Sequence, residues 1–118
     1  MGKLSLNVID QVVKSIDDKL GADIRVLDLT NLNAICDCFI ITSASSTRQV
    51  KSISDEIEDK MKELNIRIHH REGYSLGRWV LLDYGDIIVH IFLEEERQFY
   101  GLENNWKDAL IVDTAQFF

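Results

Sequence analysis

Cys36, Cys38, His69, His70 and His90 are the residues of this chain whose side chains could together hold a zinc ion. A zinc site of the usual kind needs ligands paired at short, fixed spacing, and no such pair is present. The two cysteines stand two positions apart, too close for a disulfide of structural consequence, so free thiols in a reducing compartment are expected. Asp83 and Asp86 flank a tight turn, where a solvated turn or a partner contact is the more ordinary role than metal binding. Phosphoryl transfer would need a Gly-Ser turn and clustered carboxylates to hold two metal ions. The turn Ser43-Ala44-Ser45-Ser46 contains no glycine, and no Asp-x-Asp closes an adjoining strand. No serine or cysteine has a base and an orienting group nearby in sequence. His90 lies in a strand and reads as a hydrogen-bonded structural histidine. These residues therefore assign no catalytic residue, metal or cofactor.

The aromatic residues point to contact instead. Trp79-Val80-Leu81-Leu82-Asp83-Tyr84-Gly85-Asp86-Ile87-Ile88-Val89-His90-Ile91-Phe92 reads as two apolar strands joined by a turn, with Gly85 tolerating the positive φ that a tight hairpin needs. On a strand, Trp79, Leu81 and Asp83 share one face while Val80 and Leu82 share the other. If helices cover the Val80 face, the Trp79 face is left as an apolar patch, the mark of a binding surface. Phe92, Phe99 and Trp106 read as core packing.

The elements that must position this hairpin follow from periodicity. Ile9, Val12, Val13, Ile16 and Leu20 fall on one helical face, with Ser5 as its cap and Gly21 as its terminator. Asp23–Leu29 reads as a strand with Ile24 and Val26 on one side and Leu27 and Leu29 on the other. Cys38–Thr42 is apolar on both faces, as a central strand would be. Ser46-Thr47-Arg48-Gln49 matches a capping box, opening a helix that runs to about Leu64, with Val50, Ile53, Ile57, Met61 and Leu64 inward and Asn65 ending it. Ile66–His70 reads as a further strand, so that strand, helix and strand would form a right-handed crossover between parallel neighbours. Glu94-Glu95-Glu96 suit the positive end of a last helix. The fold class is α/β: one domain over residues 1–118, with a mixed sheet of about five strands flanked by helices.

Size and charge narrow the function. A chain of 118 residues buries enough surface to fold without disulfides or metal. No window is apolar enough for a membrane span, and the first residues lack the pattern of a secretory signal, so cytoplasmic residence is expected and no membrane partner. The net charge of −7, from 20 acidic against 13 basic residues, opposes phosphate neutralisation and favours a basic protein partner over nucleic acid. Arg67, His69, His70 and Arg71 form a small basic cluster that covers only a small part of the surface.

With these residues laid out, the chain resembles the ribosomal silencing factor family, also called the Iojap family. The likeness runs through Asp23 to Leu29, Asp37, Phe39, Ile40 and Ile41, then Arg48, Gln49 and Val50, and Glu72-Gly73. It is densest from Trp79 to Asp86 with Val89-His90 and Phe92, then Arg97, Phe99-Tyr100, Leu102-Glu103 and Trp106. Ala44 departs from the glycine that many members carry after the second strand. The resemblance implies a nucleotidyltransferase-like fold without transferase activity, hence no enzyme. It also implies a target, the large ribosomal subunit, bound through protein fourteen of its subunit-joining face, with ribosomal RNA at most peripheral. A factor there sterically blocks the small subunit and lowers translation when nutrients are short. Organellar relatives are linked to large-subunit assembly, so maturation is an alternative role. The contacts that the resemblance transfers are Trp79, Leu81 and Tyr84, with Asp83 beside them. Arg97 and Tyr100 follow, although a helix buttressing the sheet explains both equally well. Two other classes stay open: a small nucleotidyltransferase with ligands converging from distant segments, and a homodimeric adaptor, suggested by the apolar hairpin and the Phe117-Phe118 tail.

Overall fold

The computed structural model describes residues 3–30, 36–100, 110–112 and 117. The elements in chain order are α1 (Lys3–Asp18), β1 (Ala22–Asp28), β2 (Cys38–Ala44), α2 (Thr47–Glu63), β3 (His70–Glu72), β4 (Trp79–Asp83), β5 (Ile87–Leu93), α3 (Glu94–Tyr100) and β6 (Leu110–Val112). One sheet runs β3-β4-β5-β2-β1-β6. Its neighbours are antiparallel except β2 and β5, which pair in parallel from Cys38 opposite Ile87 to Ala44 opposite Leu93.

Period-2 alternation divides the side chains between two cores. Val26, Ile40, Val80, Leu82, Val89 and Ile91 meet Val12, Ile16, Val50, Ile53, Ile57 and Met61 of α1 and α2 on the first face. Leu27, Leu29, Phe39, Ile41, Ile88 and Phe92 gather on the second, with Trp79 and Leu81 packed against them. Every residue of β2 is buried, as its two-sided apolar sequence requires. Phe117 is also buried, in the first core, while Phe118 lies outside the described residues.

The helix ends show which local signals acted. Ser46 caps α2 by accepting from the Gln49 N–H at 3.1 Å. The Gln49 side chain then accepts from the Ser45 N–H, one residue before the expected partner, and donates to the carbonyls of Lys19 and Leu20. The cap thereby ties the start of α2 to the end of α1. Asn65, at φ 58, ends α2 as expected, with the Ile66 N–H donating to the Met61 carbonyl. At the end of α1 the left-handed position is taken by Leu20, at φ 63, while Gly21 sits one residue later and donates to the Ile16 carbonyl. Ser5 lies inside α1 rather than capping it.

Two expectations of topology are corrected. The strand after α2 is His70–Glu72, and β2 pairs in parallel with β5, so the crossover through α2 spans β5 and β4 to reach the sheet edge. The nucleotidyltransferase-like architecture is overturned: the sheet is open and mixed, the five expected strands being extended by β6. In the turn after β2 the Ser45 N–H is held by Gln49, and both Ser43 and Thr42 hydroxyls donate to the Ala22 carbonyl.

Leu20 is 79% exposed, so its side chain contributes little while its backbone carries the steric penalty of a left-handed conformation. Leu20→Gly is expected to stabilise the protein by roughly 0.5–1 kcal/mol. Urea unfolding checks this, and an unchanged or lower midpoint would contradict it.

Candidate partner-binding surface

The hairpin closes with the two-residue loop Gly85-Asp86, where Gly85 has φ 89 and the Tyr84 N–H donates to the Ile87 carbonyl at 2.9 Å. Positive φ at the first loop position matches the twist of the flanking strands. The Asp83 carboxylate accepts from the Gly85 N–H at 2.8 Å and so belongs to the turn. The Asp86 carbonyl accepts from the N–H groups of Asp37 and Cys38, pinning the loop to the start of β2.

This register builds rows across the second face. Trp79 lies opposite Phe92, and Phe92 opposite Ser43. Glu72, Leu81, His90 and Ile41 form the next row, and His70, Asp83, Ile88 and Phe39 the third. At the centre is an aromatic group. The Trp79 indole stacks on Phe92 at 5.0 Å between centroids, and the edge of Phe39 meets the His90 ring at 4.8 Å. Trp79 Nε1–H donates to His90 Nδ1 at 3.1 Å. Trp79 and Leu81 are only partly buried, and with Glu72 and Gly73 they line an open groove of about 260 Å³. Gly73, at φ 83, is what lets the chain turn there: a Cβ at this position would stand 2.0 Å from the Trp79 carbonyl oxygen. The groove's rim carries Glu72 and His70, whose side chains meet at 2.8 Å, and Asp83 lies in the adjoining row.

The expected contact residues divide. Trp79, Leu81 and Asp83 come together on one face. Tyr84 turns to the other side, where it is buried in the core with α2 and lines a small cavity with Glu58, Lys62, Ile66 and Ile68. Burial pushes its phenol pKa up, and its hydroxyl has no hydrogen-bond partner among the described residues. Arg97 is buried and holds the chain together, donating to the Asp23 carbonyl at 2.6 Å and to the Ser43 hydroxyl at 3.3 Å. Tyr100 ends α3, and its side chain lies outside the described residues, as do Leu102, Glu103 and Trp106. Glu72 and His90 were not among the expected contacts. Glu72 was visible only in the Glu72-Gly73 likeness, whereas His90 reads in sequence as a hydrogen-bonded structural histidine and stands in the Val89-His90 likeness, its partner Trp79 being unseen.

The metal and nucleophile candidates are separated. Among the described residues no group of three His, Cys, Asp or Glu side chains could hold a metal ion. Burial pushes the Cys36 thiol up to about 11 and the Cys38 thiol higher still. Cys36 and Cys38 act as weak donors to the carbonyls of Cys38 and Phe39. His69 and His70 are exposed at the sheet edge, away from His90.

Burial lowers the His90 pKa from 6.5 to about 4, since charging the ring would strip it of water. The unfolded chain then binds a proton that the folded chain refuses between those values. This contribution to stability is complete above about pH 6.5 and is lost as pH falls toward 4. Lowering the pH from about 7 to about 5.5 should therefore cost roughly 1 kcal/mol through His90. His90→Phe should remove that part of the slope in urea midpoints, and an identical slope in both proteins would exclude His90 as its source.

The sequence of residues 3–117 matches the family model described as ribosomal silencing factor during starvation. The ribosomal silencing factor of Bacillus subtilis (strain 168) is 37% identical over 107 residues, 91% of each chain. Two solved structures share the fold: one from Chromobacterium violaceum, with TM-score 0.84 and 32% identity over 86% of this chain and 85% of its own. The other, from Bacillus halodurans, has TM-score 0.82 and 33% identity over 92% and 98%. With the model spanning both cores and the hairpin between them, the chain belongs to the ribosomal silencing factor family.

Proposed function

We propose that this chain is a non-enzymatic, cytoplasmic anti-association factor. It binds the large ribosomal subunit through protein fourteen of the subunit-joining face, sterically excludes the small subunit and represses translation under nutrient limitation. The observation that carries the reading is the half-buried Trp79–Leu81 patch on the sheet face opposite α1 and α2, rimmed by Glu72 and Asp83. Family membership supplies the ribosome as the setting.

A half-buried tryptophan beside an aliphatic residue is the composition of an energetic anchor, since such groups lose their remaining water on docking. Carboxylates at the rim and a net charge of −7 complement a basic ribosomal protein and speed encounter, while the apolar centre governs residence time. Trp79, Leu81, Asp83 and Glu72 are the contacts in this reading. Tyr84 and Arg97 support the surface from behind, through the α2 core and the clasp on β1 and β2.

Trp79→Ala is expected to weaken binding to isolated large subunits by about 2 kcal/mol, roughly 30-fold. Sucrose-gradient sedimentation under conditions that favour subunit joining checks it. Wild type should travel with the large subunit and reduce joined ribosomes, and Trp79→Ala should do neither at equal concentration. Co-sedimentation of wild type with neither subunit would overturn the proposed function, and full activity of the variant would remove Trp79 from the site.

A further inference from the structure

We propose that His90 is a positioning residue of this surface, fixing through Nδ1 the orientation in which Trp79 meets its partner. The functional consequence rests on the anti-association reading, whereas the geometry does not. An indole nitrogen can only donate, so the 3.1 Å contact requires an unprotonated His90 Nδ1, and in the neutral ring the proton sits on Nε2. His90 is 4% exposed and its ring is confined by Phe39 at 4.8 Å and Phe92 at 6.1 Å, so the acceptor has a fixed place. Trp79, by contrast, is only partly buried. Its stack on Phe92, at 26° between planes, sets the plane of the indole but not which of its edges faces His90. A directional hydrogen bond removes that freedom.

The direction of this bond determines what a partner meets. The Trp79 N–H points inward to His90 and is satisfied within the chain. What docks on the exposed part of the indole therefore meets carbon, suited to an aliphatic stem or a guanidinium plane, and need not supply an acceptor. Ordering Trp79 before encounter also spares the complex the entropy of ordering it on binding.

The test compares His90→Asn, whose amide oxygen replaces the Nδ1 acceptor, with His90→Phe, which keeps the ring and removes the acceptor. Two readouts are needed: the Trp79 indole N–H resonance of the free protein, and affinity for isolated large subunits. His90→Phe should move the indole resonance and weaken binding roughly 3- to 10-fold, the range of one net hydrogen bond. His90→Asn should restore both. Wild-type affinity in a folded His90→Phe, or an unmoved indole resonance, would overturn the proposal. If wild type itself binds no large subunit, the anti-association reading fails and the binding consequence with it, while the resonance still decides whether His90 holds the indole.

Discussion

The parallel pairing of β2 with β5 is the constraint on which the rest depends. Seven consecutive register pairs join two strands whose side chains are almost all out of water. Parallel strands buried on both sides need cover on both faces. α1 and α2 supply it on the first face, where the stripe of each helix fits the alternate residues of β2, β4 and β5. On the second face burial is complete at Ile41 and Phe92 but declines toward β4, where Trp79 and Leu81 keep part of their surface. The candidate site is thus where cover of the central pair runs out.

The same burial decides what the reactive residues can do. A thiol pushed up by desolvation is a poor nucleophile and a poor metal ligand at neutral pH, and Cys36 and Cys38 both stand in that condition. A histidine held neutral by burial can accept a hydrogen bond without competing protonation, which is how His90 serves Trp79. Residues with catalytic side chains are here used for packing and orientation.

Much of this arrangement was legible in the sequence because it is local. The alternation of Trp79 to Phe92, the Ser46 cap and the Asn65 stop are each set by neighbours within a few residues, and each is found. The partition of Ile24 and Val26 from Leu27 and Leu29 also follows from period two. What failed depended on distant segments. Leu20 takes the left-handed position ahead of the glycine beside it, at a helix end whose carbonyls are bound by Gln49 of another helix. β3 pairs at the sheet edge because β5 already occupies the place beside β2. Tyr84 is a different case: it continues the Val80 and Leu82 side of the alternation and so faces α2, on the sheet side opposite Trp79. The surface was half legible: the Trp79 face could be read from alternation and His90 as a hydrogen-bonded histidine, but not that the two are partners.

On the proposed reading, an open sheet face suits a steric blocker better than an enclosed cleft does. A cleft encloses its ligand, whereas a factor that must occupy one surface and project into the path of another body needs a rigid platform with its anchor on the outside. The rigidity is already present in the two cores, with the hairpin pinned at Asp86 to β2 and paired along β4 with β3. On the proposed reading the anchor is Trp79, left partly wet on that face and turned by an internal acceptor. Carboxylates at its margin keep such an apolar patch soluble while it is empty and orient a basic partner as it approaches. On the proposed reading, the acidic rim steers a basic partner toward the patch, and the indole, already set in place, holds the subunit once it arrives.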